Sequence, residues 1–190
     1  MKRLLLASLF FVFVTQYGFS QFFFGGSLSF IHNTQTVEDF NTSSTGFGIT
    51  PILGYRFESV DVGALFHFNA DSARSENVNM SVTSFGFGIF CDFTFLSNDR
   101  FAFRGRTSVH YTSSSLTIEG DNLGSDEFIV ITFYPMFEYS FSNRFTLFTD
   151  IGGISYAHLL GGFSGRSFVI SIFSGITLGA RFIPGAAQDI

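Results

Sequence analysis

From Ser84 to Tyr111 the chain reads SFGFGIFCDFTFLSNDRFAFRGRTSVHY. Phe85, Phe87, Ile89, Cys91, Phe93 and Phe95 take alternate positions, with Ser84, Gly86, Gly88, Phe90, Asp92 and Thr94 between them. After the polar break Ser97-Asn98-Asp99-Arg100 the alternation resumes. Phe101, Phe103, Gly105, Thr107, Val109 and Tyr111 fall on one face, and Ala102, Arg104, Arg106, Ser108 and His110 on the other. A period of two over this length means β-strand, because successive side chains point to opposite sides. The break makes the pair a tight hairpin. One face is nearly all Phe and Ile. The other carries Asp92, Arg104 and Arg106 among Gly and Ser, the small residues a narrow interior needs. A soluble barrel puts its apolar face inside. This pattern predicts the inverse, with polar side chains inside and lipid outside, as in a transmembrane β-barrel.

Composition agrees. Charged residues make up only 13% of the chain, against about a quarter in a soluble domain, so the surface faces something other than water. After residue 20 no apolar run reaches the roughly 18 residues of a membrane helix. Cys91 is the single cysteine, which excludes an internal disulfide and a cysteine-cluster metal site. Its position also argues against a lipoprotein anchor.

Residues 1–20 read as a signal peptide. Lys2 and Arg3 precede an apolar core from Leu4 to Val14, and Gly18-Phe19-Ser20 offers small residues for cleavage after Ser20. The barrel is then expected over 21–182, with a tail over 183–190. Without the two basic residues of the leader, eight of the ten Lys and Arg remain against fifteen acids, a net charge of −7. That disfavours nucleic acid as a partner.

Eight strands are expected. The first is Gln21 to His32, then Thr45 to Phe57, Val60 to Ala70, the two of the opening hairpin, Glu127 to Phe141, Phe145 to His158, and Ser167 to Phe182. Asn33–Ser44, Asp71–Asn79 and Thr112–Asp126 read as long polar loops, and Leu159–Arg166 as a Gly-rich one. Glu58-Ser59 and Ser142-Asn143-Arg144 read as short turns. The alternation of long and short connections fits an eight-stranded antiparallel up-and-down barrel, with long loops outside and short turns in the periplasm. Pro51 and Pro135 fall within strands, where a ladder donor is lost. A bulge or a missing hydrogen bond is expected at each.

Pro51-Ile52-Leu53-Gly54-Tyr55-Arg56-Phe57, a short turn, then Val62-Gly63-Ala64 resembles the small eight-stranded outer-membrane β-barrel family of Gram-negative bacteria, whose members carry labels such as "porin family" or outer membrane protein beta-barrel. Pro135-Met136-Phe137-Glu138-Tyr139-Ser140-Phe141 followed by Asn143-Arg144-Phe145 resembles a second copy of that hairpin. The resemblance implies a place in the outer membrane among its lipids, and no common enzymatic activity. It also implies insertion by the barrel-assembly machinery, which reads a terminal aromatic. Gly179-Ala180-Arg181-Phe182 is similar to such an ending, with Ile183 to Ile190 following it.

The alternation places Arg56, Arg104, Arg106 and Arg181 inside with Asp61, Asp92, Glu138 and Asp150. Eight strands leave an interior just wide enough for side chains to fill, and buried charges must be paired. The expected result is a salt-bridged plug, with Arg104 and Asp92 as the pair to test by mutation. A narrow path for ions or small solutes is the alternative. No Gly-x-Ser-x-Gly elbow marks a nucleophile, and no residue set marks a cofactor; neither an enzyme nor a cofactor is expected. The acidic loops offer a surface for an extracellular ligand. His32, His67, His110 and His158 fall near the ends of odd-numbered strands and read as a polar rim, with His67, His110 and His158 turned inward. Odd strands are separated by an even one, so roughly 10 Å lies between successive histidines at the usual strand spacing. That argues against a shared metal.

Overall fold

The computed structural model describes residues 21–37, 40–75, 78–160, 166–172 and 176–184. The leader expected over 1–20 lies outside these residues, as do 161–165 of the Gly-rich loop and 185–190 of the tail. Ten strand segments succeed one another: β1 (Gln21–Val37), β2 (Phe40–Arg56), β3 (Val60–Ser75), β4 (Val78–Ser97), β5 (Phe101–Ile118), β6 (Asp121–Ser142), β7 (Phe145–Asp150), β8 (Gly152–Leu160), β9 (Arg166–Ile172) and β10 (Ile176–Phe182). Each pairs antiparallel with its neighbour from β1 through β6. β6 then pairs with β7 along one half and β8 along the other. β9 lies against β8, and β10 against β7 and β1. Two segments thus share the seventh row and two the eighth. Through β10 against β1 the sheet closes on itself as an eight-rowed up-and-down barrel.

The faces obey the alternation. Phe85, Phe87 and Ile89 are exposed while Ser84, Gly86 and Phe90 are buried. In an aqueous protein this many exposed Phe and Ile side chains are not tolerated; on the outside of a barrel they form the lipid-facing band. Aromatic side chains crowd its short-turn end. Phe22 meets Tyr55 at 4.5 Å, Phe101 meets Tyr139 at 4.9 Å, and Tyr139 meets Phe141 at 4.8 Å between ring centroids. This is one interfacial girdle of a membrane barrel.

The short turns are built as expected. Asn98 Oδ1 accepts from Arg100 N at 3.0 Å and Phe101 N at 2.8 Å, and Ser142 Oγ accepts from Phe145 N at 3.2 Å. The three long polar loops are instead largely continued strand. β1 and β2 stay paired to Val37↔Phe40, β3 and β4 to Ser75↔Val78, and β5 and β6 to Ile118↔Asp121. Thr112–Asp126 is a hairpin turned by Glu119 and Gly120, with φ of 53° and 92°. Two successive left-handed residues are the demand of a tight hairpin turn, and glycine meets it without strain. Composition misleads here because Ser, Thr and Asn suit water as well as a ladder. A strand already paired below continues above the bilayer at little added cost. β4 runs 20 residues and β6 22, about twice the 9–11 a tilted strand needs to cross.

Both prolines mark irregularities. Between β2 and β3 the pairing skips from Ile49↔Phe68 to Ile52↔Leu65 with no register shift, so Pro51 interrupts a ladder and leaves no bulge. Pro135 faces a bulge on the other strand. From Met136↔Asp150 to Phe133↔Ile154, β6 advances three residues while the opposing row advances four. The extra residue sits at Ile151-Gly152, where Gly152 has φ of 108° and Ile151 N donates to Pro135 O at 3.2 Å. An inserted residue reverses the in–out parity of the strand beyond it.

Candidate functional site: the filled lumen

Six of the eight charges expected inside sit on inward positions close to the short turns, and a seventh at their margin. Arg181 on β10 is fully buried and crosses the lumen. Its Nη1 donates to Asp61 Oδ2 at 2.7 Å and lies 3.0 Å from Glu138 Oε1, and its Nη2 donates to Asp92 Oδ2 at 2.8 Å. Arg106 grips Asp92 with two parallel bonds, Nε to Oδ1 at 2.7 Å and Nη2 to Oδ2 at 2.8 Å. Arg104 Nη1 donates to Asp61 at 2.6 Å and lies 3.4 Å from Glu138. Arg56, the part-exposed seventh, forks Asp61 through Nε and Nη2, both at 3.0 Å. Arginine suits this position because its planar fork serves two carboxylates at once and stays charged when dry.

Two expectations change. Asp150 is not in the network. It pairs in register with Met136, two residues beyond Glu138, about 7 Å along the strand. There its polar neighbours are Thr177 and the Gly152 backbone. The plug therefore holds four arginines and three carboxylates. Arg104 meets Asp92 only through the Asp92 carbonyl, at 3.5 Å; its carboxylate partners are Asp61 and Glu138.

Aromatic rings complete the plug, and no account of charge alone finds them. The Arg181 guanidinium lies 4.6 Å over the Phe23 ring, and that of Arg106 lies 4.6 Å over Phe90 and 5.4 Å over Phe148. Cation–π attraction is strongest where water is excluded. Gly54, Gly63 and Gly179 make the room, since a Cβ at each would strike Phe23, Phe90 or Phe148. The sequence signal was parity: Phe23 and Phe90 sit on the same alternate positions as Gly25 and Asp92. Ile183, just past the last strand, is buried beneath the plug and donates its N–H to Arg144 O at 2.9 Å.

Above the plug the inward residues are mostly polar, with Ile31, Leu65 and Tyr134 among them. A cavity of about 310 Å³ lies there, with Arg106, Met136 and Phe148 at its floor and His67, Asn69, His110 and Asp150 on its walls. Ser108 Oγ shares a hydrogen with Thr132 Oγ1 at 2.6 Å.

The histidines divide. His32 is exposed and 3.1 Å from Thr45 Oγ1. His158 shares the outward face with its partner Ile129, contrary to the inward placement expected. The bulge at Ile151-Gly152 is the reason, and Gly152-Gly153 opposite Pro135 was its trace in the sequence. His67 and His110 do point inward, but level with exposed Phe66, Phe68, Phe87 and Val109, so they stand within the apolar band and not at a rim. Their ring centroids are 4.9 Å apart, not the roughly 10 Å of two strand spacings. The intervening strand presents Gly86 and Gly88 there, and with no side chain between them the rings lean together.

No family model matches the chain, and no curated relative was found. Solved structures do match. Neisserial surface protein A is 13% identical over 86% of this chain and 97% of that one, with a TM-score of 0.51. A major outer membrane protein from Thermus thermophilus is 11% identical over 87% and 99%, with a TM-score of 0.54. At these identities the likeness is one of fold, and the fold is the transmembrane β-barrel of outer-membrane proteins.

Proposed function

We propose that this is an integral outer-membrane protein whose barrel is closed to flow, and whose work is done by the hairpins it holds above the membrane. The observation that carries this reading is Arg181. One fully buried guanidinium ties carboxylates from β3, β4 and β6 into a single cluster, and Phe23, Phe90 and Phe148 pack around it. An ion has no path through such a cluster without breaking pairs whose desolvation is already met. Exported by the leader at 1–20 and inserted by the barrel-assembly machinery, the protein would set its short turns in the periplasm and its paired hairpins outside. Those hairpins offer a ligand a stiff, polar β-surface. No catalytic role is assigned: Ser108, the hydroxyl beside His110, is engaged with Thr132 on a regular strand.

The rival reading is a narrow pore. Its support is the cavity above the plug, together with the Nε atoms of Arg104 and Arg181, which are buried and without a partner among the described residues. Planar-bilayer recording separates the two. The closed reading expects no steady single-channel steps from the full protein; regular steps would overturn it. Orientation is tested on intact cells. A tag inserted at Gly120 should be labelled from outside and one at Ser142 should not, and the reverse pattern would invert the topology.

A further inference from the structure

The histidine pair in the upper lumen belongs to no part of the plug. His67 on β3 and His110 on β5 meet edge to face, with 76° between ring planes. Each ring is held on one side by a hydroxyl. Thr112 Oγ1 is 3.2 Å from His67 Nε2, and Ser108 Oγ is 3.3 Å from His110 Nδ1. If each of those ring nitrogens carries the proton and donates it, His67 Nδ1 and His110 Nε2 keep their lone pairs. A hydrogen-bonded second nitrogen that sets tautomer and ring orientation is the usual support of a metal-binding imidazole. Both rings line the 310 Å³ cavity, which also has Asn69 and Asp150 on its wall. Ile31, another lining residue, is 41% exposed, so the cavity is reached by water. The nearest cation, Arg106 at the floor, is neutralised by its two bonds to Asp92.

Empty backbone opposite the rings is the second observation. A Cβ at Gly86 would strike the His67 ring, and one at Gly88 would strike His110. Any larger residue there would separate the pair. The strand between them therefore leaves the two imidazoles as mutual neighbours facing a wet cavity.

We infer that His67 and His110 form a two-imidazole site for a divalent first-row transition metal ion, open to the outer side of the barrel above the plug. Among the described residues no third His, Cys, Asp or Glu completes a ligand cluster, so water fills the remaining positions. Imidazole suits copper, nickel and zinc, and the order of affinities for a site of this kind puts Cu²⁺ first. The edge-to-face geometry requires one ring to turn for both nitrogens to reach an ion at about 2.0–2.1 Å, and the cavity has the room. Such a site would hold a metal ion in the upper lumen whether or not the plug below ever opens.

The test uses the full protein in detergent micelles, carried on an affinity tag without histidine. Calorimetric titration with Cu²⁺, then Zn²⁺, at neutral pH in a non-coordinating buffer should give one saturable site with Cu²⁺ the tighter. His67→Gln and His110→Gln should each weaken it by at least about tenfold, while His32→Gln and His158→Gln leave it unchanged. Heat-modifiable gel mobility checks that each variant folds. Low-temperature electron paramagnetic resonance of the unmutated protein with one equivalent of Cu²⁺ should show hyperfine coupling to two imidazole nitrogens. Absence of that coupling overturns the site whatever the variants do. So does a heat that survives both lumenal substitutions, or one abolished by His32→Gln or His158→Gln.

Discussion

The two halves of the lumen share one wall and differ in what fills it. Near the short turns the inward positions carry Arg104, Arg106 and Arg181, three carboxylates and three phenylalanine rings, and the space is closed. Toward the hairpins they carry Ser, Thr, Asn and His, and a cavity remains. Glycine is present in both halves with opposite consequences. Gly54, Gly63 and Gly179 are covered by aromatic rings that pack under guanidinium groups. Gly86 faces the His67 ring and the Tyr111 carbonyl, and Gly88 the Val109 carbonyl and the root of the His110 side chain, with no aromatic packing over either. A barrel of this size is not plugged by its diameter alone. It is plugged where large side chains are neutralised in place, because an ion pair in a dry interior tolerates no missing partner.

The largest test of that difference is Arg181→Ala. It leaves Asp61, Asp92 and Glu138 short of a shared partner, and should cost about 3–5 kcal/mol. Urea unfolding followed by far-ultraviolet circular dichroism, with gel mobility alongside, measures it. A loss no greater than that of an upper-lumen substitution would erase the distinction between the halves.

A smaller effect maps wiring within the plug. Asp92→Asn combined with Arg106→Met should show a coupling of about 1–3 kcal/mol, since the two groups share parallel bonds. Asp92→Asn combined with Arg104→Met should be closer to additive, because Arg104 reaches only the Asp92 carbonyl. Equal coupling in the two double-mutant cycles would mean the cluster acts as one body.

The smallest effect belongs to the upper half. Ser108→Ala removes one hydroxyl of the Ser108–Thr132 pair beside water, and should cost about 1 kcal/mol. A cost near that of Arg181→Ala would show the cavity wall to be as tightly coupled as the plug.

The fold was legible because membrane and lumen impose opposite demands on alternate residues. Phe85, Phe87 and Ile89 against Gly86, Gly88 and Asp92 state the strand, its two faces and the lipid outside. The inward arginines and three of their four expected acidic partners were legible for the same reason. The hairpins above the membrane were not, because Ser-, Thr- and Asn-rich strands in water carry no apolar alternation to announce them.

By itself, then, the sequence determined parity: which residues share a face along each unbroken strand, and so which charges go inside. Only the tertiary structure decided height and distance. Asp150 lies outside the plug because register lifts it two residues above Glu138. His158 turns outward because one extra residue at Ile151-Gly152, opposite Pro135, reverses the phase of the rest of that strand, β8. His67 and His110 meet because a strand between them has no side chains to keep them apart. Parity is local and survives any register. Height, phase after a bulge and approach across a neighbouring strand depend on how separate strands are set against one another, and no single strand contains that information.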